Sequence, residues 1–134
     1  MKILRIDHVA IAQNEPQNAR NLFEALLGIP YTGSDPVERE GVNTHFFKLG
    51  ESNLEILEPL GPDTPVGRFL DKRGPGLHHI SLAVEGLDEF VAHLKAHDIQ
   101  LLSAEPVIGA HGKRIIFIHP KSAGGVLLEL SESP

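Results

Sequence analysis

From Ile3 to Ala12 the chain alternates, with Ile6, His8, Ala10 and Ala12 on one side and Asp7, Val9 and Ile11 on the other. That two-residue period predicts a strand. Ala19, Leu22, Phe23, Leu26 and Leu27 then repeat at helical spacing. Asn14 suits the N-cap of that helix, Pro16 its first turn and Gly28 its stop. A second strand is expected to begin at Ile29-Pro30-Tyr31, and the polar run from Asp35 to Gly41 reads as a loop. Val42 to Leu49 and Asn53 to Leu57 read as strands joined by the two-residue turn Gly50-Glu51. Leu60 to Pro65 reads as a linker, and a short helix runs from about Thr64 to Lys72 before Gly74-Pro75-Gly76.

The order then repeats. Leu77 to Val84 is expected to be a strand, Leu87 to His97 a helix and Ile99 to Leu102 a short strand. Glu105 to Lys113 reads as a loop, and Arg114 to His119 and Val126 to Leu130 as two more strands around a turn at Lys121 to Gly125. Each half therefore reads strand, helix, strand, strand, strand, an α+β chain of two βαβββ modules. Module one spans residues 1–60, the linker 61–75 and module two 76–134, in a single domain.

The repeat extends to single residues. Asp7-His8-Val9-Ala10-Ile11-Ala12 aligns with His78-His79-Ile80-Ser81-Leu82-Ala83, placing His8 over His79. Asn53-Leu54-Glu55-Ile56-Leu57 aligns with Leu127-Leu128-Glu129-Leu130, placing Glu55 over Glu129. Such a duplication gives two similar modules related by a pseudo-two-fold axis. If the first and last strands of each module are neighbours, each His and Glu share one face. A lone His or Glu in a strand is more often a satisfied or solvent-facing residue. Two carboxylates inside apolar runs are different, because an ionised group facing a core needs a partner. A divalent metal held by His8, Glu55, His79 and Glu129 would supply it. Imidazole and carboxylate suit Zn, Ni, Co, Mn or Fe. Four protein ligands leave open positions for Lewis-acid chemistry on a small substrate.

Composition narrows the field. There are no cysteines, so disulfides, thiolate sites and Cys nucleophiles are excluded. With 12 Lys+Arg against 18 Asp+Glu the formal charge is −6. Non-specific nucleic-acid and anionic-membrane binding are therefore not expected. The N-terminus carries no signal-peptide pattern and no apolar run is long enough to span a bilayer, so a cytoplasmic location is expected.

Several segments carry a family resemblance over essentially the whole chain. They are Gly76-Leu77-His78-His79-Ile80, Glu105-Pro106-Val107-Ile108-Gly109-Ala110-His111-Gly112-Lys113, the run from His119 to Leu130, and Leu54 to Leu60. These resemble the vicinal oxygen chelate (glyoxalase/bleomycin resistance/dioxygenase) superfamily and, within it, the methylmalonyl-CoA epimerase family. The resemblance implies a curved mixed sheet around a metal site. It implies metal ligation by His8, His79 and Glu129, with Glu55 at the fourth position, where some epimerases have Gln. It further implies one divalent ion (Co, Mn, Ni, Zn or Mg), an acyl-CoA substrate, a homodimer, and epimerisation at C2 through an enolate. The rivals are glyoxalase I, which shares the ligand types, and a metal-free binding protein of the same fold.

Glu129 is the first candidate for proton transfer. The family's other acid/base is a carboxylate on the strand Val42 to Leu49. Thr44 stands at the matching position, and it cannot act as a base without activation. His45 is adjacent, but a turn at Gly50-Glu51 sets Phe46 opposite Glu55 and turns His45 away unless the register slips by one. A water or Glu55 could fill the role. His111 is either a substrate contact or a loop residue, while His119 reads as structural and His78, His93 and His97 as surface groups. Lys113, Arg114 and Lys121 are either a basic patch for CoA phosphates or solvated charges.

Overall fold

A computed structural model describes residues 1–134. The chain forms two compact units, one of His8–His78 and one of Met1–Asp7 with His79–Pro134.

In the unit His8–His78, strand β1 (Lys2–Ala12) contributes its second half. Helix α1 (Pro16–Arg20) runs on as a π-helical stretch, Asn21–Leu26. Strands β2 (Tyr31–Val37), β3 (Val42–Leu49) and β4 (Ser52–Pro59) follow, and then helix α2 (Pro65–Arg73). The strand order is β2-β3-β4-β1. The β3–β4 hairpin closes with Leu49 opposite Ser52, and Gly50 takes φ +58 in the turn, where a Cβ would be strained. That closure fixes Phe46 opposite Glu55. β1 joins β4 in parallel, with Ala10 opposite Glu55. Ala10, Ala12, Val42 and Leu57 pack with Val66 and Leu70 of α2. On the other face Phe47 is fully buried and meets Phe23 edge-on at 5.4 Å.

Three expectations for this unit change. The α1 face is only partly a core face. Leu22, Leu26 and Leu27 are 45%, 70% and 62% exposed. The wider π turn is the reason: the Leu27 amide donates to the Leu22 carbonyl, five residues back, which rotates the last leucines off the sheet-facing stripe. The N-cap is Glu15 rather than Asn14, and its side chain makes no capping bond. The segment from Asp35 is not all loop, because β2 continues to Val37, pairing Asp35 with Thr44 and Pro36 with Asn43. As the end strand of its unit's order, β2 tolerates a proline that cannot donate to a further ladder.

In the other unit lie most of β5 (Gly76–Glu85), helix α3 (Leu87–Ala96), β6 (Val107–Ile108), β7 (Arg114–Ile118) and β8 (Leu128–Glu132), in the order β5-β8-β7-β6. β5 and β8 are parallel with Ser81 opposite Glu129, and β7 is antiparallel to β8 with Phe117 opposite Glu129. Leu87 and Val91 of α3 pack on Val84, Ile116, Ile118 and Leu130. Glu132 accepts from the amides of Gly86 and Leu87 at 2.9 and 3.1 Å, capping the start of α3. The strand expected at Ile99–Leu102 is reduced to a single bridge, Leu101 to Ile118. The chain bends through Ser103 to Glu105, and the paired strand begins only after Pro106, at Val107. The last strand lies at Leu128–Glu132, two residues later than the pattern indicated.

The fold is α+β, with the βαβββ order in both halves and a mixed sheet in each.

Candidate functional site

The two halves place the same chemistry at the same structural position. In the first, His8 on β1 and Glu55 on β4 are both buried, and His8 Nδ1 lies 3.1 Å from Glu55 Oε2. Alternation along the strands fixes this: His8 precedes Ala10 by one full pleat, and Ala10 is opposite Glu55. In the second, His79 on β5 and Glu129 on β8 are also buried, with His79 Nε2 4.0 Å from Glu129 Oε2. Ser81, the next residue on the His79 face, is opposite Glu129. The Phe117 ring stands edge-on to His79 at 5.3 Å.

A buried carboxylate needs positive charge or hydrogen-bond donors nearby. Each unit supplies an imidazole nitrogen beside a carboxylate oxygen, and this donor set fits a divalent cation of intermediate hardness. Ser81 adds a polar group on the same face. It is fully buried and its Oγ has no hydrogen-bond partner. Ser81 aligns with Ala10 in the internal repeat and has no role assigned from the sequence; its signal is a hydroxyl where the other half carries a methyl.

Thr44 is buried and shares the Phe46 and Glu55 side of its sheet, opposite Leu57. His45 points away, as the hairpin register requires. Its Nδ1 is 3.1 Å from the Tyr31 hydroxyl and its Nε2 3.0 Å from Glu58 Oε1. His119 is structural, since its Nδ1 accepts from the Lys121 amide at 3.0 Å. His93 and His97 are exposed.

Three expectations are corrected here. His78 is not a surface group: its ring packs against Phe69 at 4.9 Å, and burial pulls its pKa down to about 4. Lys113 is not free to meet phosphates, because its ammonium donates to both Asp7 oxygens at 3.1 and 3.2 Å. Arg114 is likewise committed, to Asp88 at 2.7 Å and Glu132 at 3.2 Å. The Asp7–Lys113 pair was missed from the sequence. Asp7 is the residue before His8 on β1 and is buried. Its partner follows His111 and Gly112, both in the left-handed region at φ +58 and +70. A non-glycine residue held there marks a backbone fixed by its surroundings.

Comparison with known proteins places these features in context. Residues 7–117 match the family model described as Glyoxalase/Bleomycin resistance protein/Dioxygenase superfamily. The human mitochondrial methylmalonyl-CoA epimerase is 42% identical over 130 residues, covering 96% of this chain and 74% of that protein. The ethylmalonyl-CoA/methylmalonyl-CoA epimerase of Cereibacter sphaeroides is 39% identical over 134 residues, covering 96% of this chain and 97% of that one. A solved methylmalonyl-CoA epimerase in complex with methylmalonyl-CoA and NH4+ superposes with a TM-score of 0.93 at 34% identity, covering 98% of this chain and 96% of that chain.

Proposed function

We propose that this chain, which belongs to the glyoxalase/bleomycin resistance protein/dioxygenase superfamily and within it to the methylmalonyl-CoA epimerases, interconverts (2R)- and (2S)-methylmalonyl-CoA with one divalent metal ion held by His8, Glu55, His79 and Glu129. The observation that carries the ligand set is the repetition of one buried His–carboxylate pair in both halves, at 3.1 and 4.0 Å. When bound, such a cation supplies Lewis acidity toward the substrate's oxygens.

The C2 hydrogen of the substrate lies between a thioester and a carboxylate, so its removal leaves a carbanion delocalised onto the thioester oxygen. Epimerisation needs one group to take that proton and another to return a proton to the opposite face. Glu129 is assigned to one face and Glu55 to the other. The support for Glu55 is threefold. It occupies the position in its half that Glu129 occupies in the second, each with a Phe opposite on the antiparallel strand. Thr44, the buried polar residue nearest the expected place on β3, carries no ionisable group. His45 is engaged on the other face by Tyr31 and Glu58. Both carboxylates are buried, so C2 is protonated by a positioned carboxyl group rather than directly by bulk water.

The reading also carries a homodimer and a cytoplasmic location as expectations, checked by light scattering and by fractionation. No helix is long and apolar enough to cross a membrane. The direct test is chiral analysis of a single methylmalonyl-CoA epimer incubated with the metal-loaded protein, run beside a methylglyoxal–glutathione assay. Conversion of the single C2 epimer to a mixture of both is expected. Turnover of the hemithioacetal without it overturns the reading in favour of a glyoxalase I activity.

A further inference from the structure

Helix α3 ends in a His-x-x-x-His pair that the epimerase reading does not use. His93 lies in its last turn, and His97 is the residue that closes it. Residues four apart on a helix are neighbours on one face. Their rings stand 4.5 Å apart, centre to centre, with planes inclined by 56°. Both residues are exposed. Inward, α3 presents Leu87 and Val91 to the cluster containing Leu130. Glu129, the preceding residue on β8, points to the opposite face of the sheet. The pair is thus separated from His79 and Glu129 by the helix and the sheet.

The protonation pattern is set by the backbone. His97 Nδ1 lies 2.8 Å from the carbonyl oxygen of His93. A carbonyl only accepts, so Nδ1 carries the hydrogen and donates it, which leaves the Nε2 lone pair of this exposed residue for a ligand. A carbonyl on the far nitrogen is also what fixes the tautomer of metal-binding imidazoles. The His93 ring makes no hydrogen bond of its own, so its nitrogens are available. Helix capping by His97 accounts for that one bond, but it asks nothing of His93. The negative end of the helix dipole, at this same terminus, favours a bound cation.

We infer that His93 and His97 form a second, solvent-facing chelate for a divalent transition metal, with water completing the coordination. A pair of neutral imidazoles ranks the ions Cu(II) above Ni(II) and Zn(II). Nitrogen–metal distances of about 2.0–2.1 Å require the two nitrogens to approach to about 3 Å. Rotation about the side-chain bonds of exposed histidines reaches that from the present ring separation.

The test is calorimetric titration of the untagged full chain with Ni(II) and Cu(II). It compares wild type with His93→Asn, His97→Asn, the double variant and His8→Ala, with far-UV circular dichroism to show that each is folded. Wild type is expected to bind one equivalent more than the double variant. Each single variant should weaken that equivalent by about tenfold or more, because the second imidazole acts intramolecularly. His8→Ala should keep it, and His93→Asn should leave epimerase turnover unchanged, so this site and the epimerase reading fail independently. A double variant with the stoichiometry and affinities of wild type overturns the inference.

Discussion

Replacing Lys113 by Met leaves the Asp7 carboxylate without its ammonium partner. The Asp7 side chain is 6% exposed, and both its oxygens accept from Lys113 at 3.1 and 3.2 Å. Removing one member of a fully buried pair costs about 3–5 kcal/mol, mostly from stranding the other charge. The Lys113 side chain is 23% exposed, so water already screens part of the attraction. The expected loss is therefore about 2–3 kcal/mol. For a chain of this length that is a fall in Tm of about 6–12 °C. Urea unfolding measures it as a lowered midpoint with an unchanged slope. Asp7→Asn combined with Lys113→Met removes the carboxylate charge together with the ammonium and should recover more than half of the loss. A single variant within about 0.5 kcal/mol of wild type, or a double variant worse than the single, would rule out this role for the pair. Met is the right replacement because it keeps the length of the lysine stem.

Other outcomes follow from the same geometry. Glu129→Gln should lower epimerase turnover by at least about 100-fold, and Glu55→Gln by a comparable factor if it serves the opposite face, both read by steady-state kinetics with each epimer. Thr64→Ala should cost about 1 kcal/mol in chemical unfolding, because Thr64 Oγ1 accepts from the Gly67 amide at 3.0 Å as the cap of α2, and Thr64→Ser should restore most of it. The hydrogen bond from Arg114 holds the Asp88 carboxyl below its usual range, so the unfolded chain binds that proton more readily than the folded one. The stability Asp88 contributes is present above about pH 4 and is lost as pH falls through its folded value; Asp88→Asn should flatten that part of the acid limb in urea titrations at stepped pH.

The parts of this molecule that were legible in sequence are those fixed by short-range rules. The turn at Gly50-Glu51 sets the register of β3 on β4, and that register alone turns Phe46 toward Glu55 and His45 away. Strand alternation and the internal repeat isolate the two His–Glu pairs. What stayed hidden depends on contacts between distant residues. Lys113 is assigned by Asp7, far away in the chain, and no local pattern announces the pairing. Likewise His78 is buried by Phe69 of α2, packing that strand alternation cannot foresee. Ile99 to Leu102 has the composition of a strand, yet its partner β7 gives it one bridge before Ser103 to Glu105 bend away. The π-helical end of α1 breaks the 3.6-residue period on which the leucine stripe was counted.

The proposed chemistry is proton movement at C2 of a CoA thioester, helped by a metal held by two His–Glu pairs. Mass spectrometry of methylmalonyl-CoA after incubation in heavy water tests it most directly. One deuterium at C2 is expected with metal-loaded wild type, none above background after chelation, and incorporation slowed by at least about 100-fold in Glu129→Gln for the epimer whose C2 hydrogen faces Glu129. No deuterium at C2 with any of Co, Mn, Ni, Zn or Mg would contradict it.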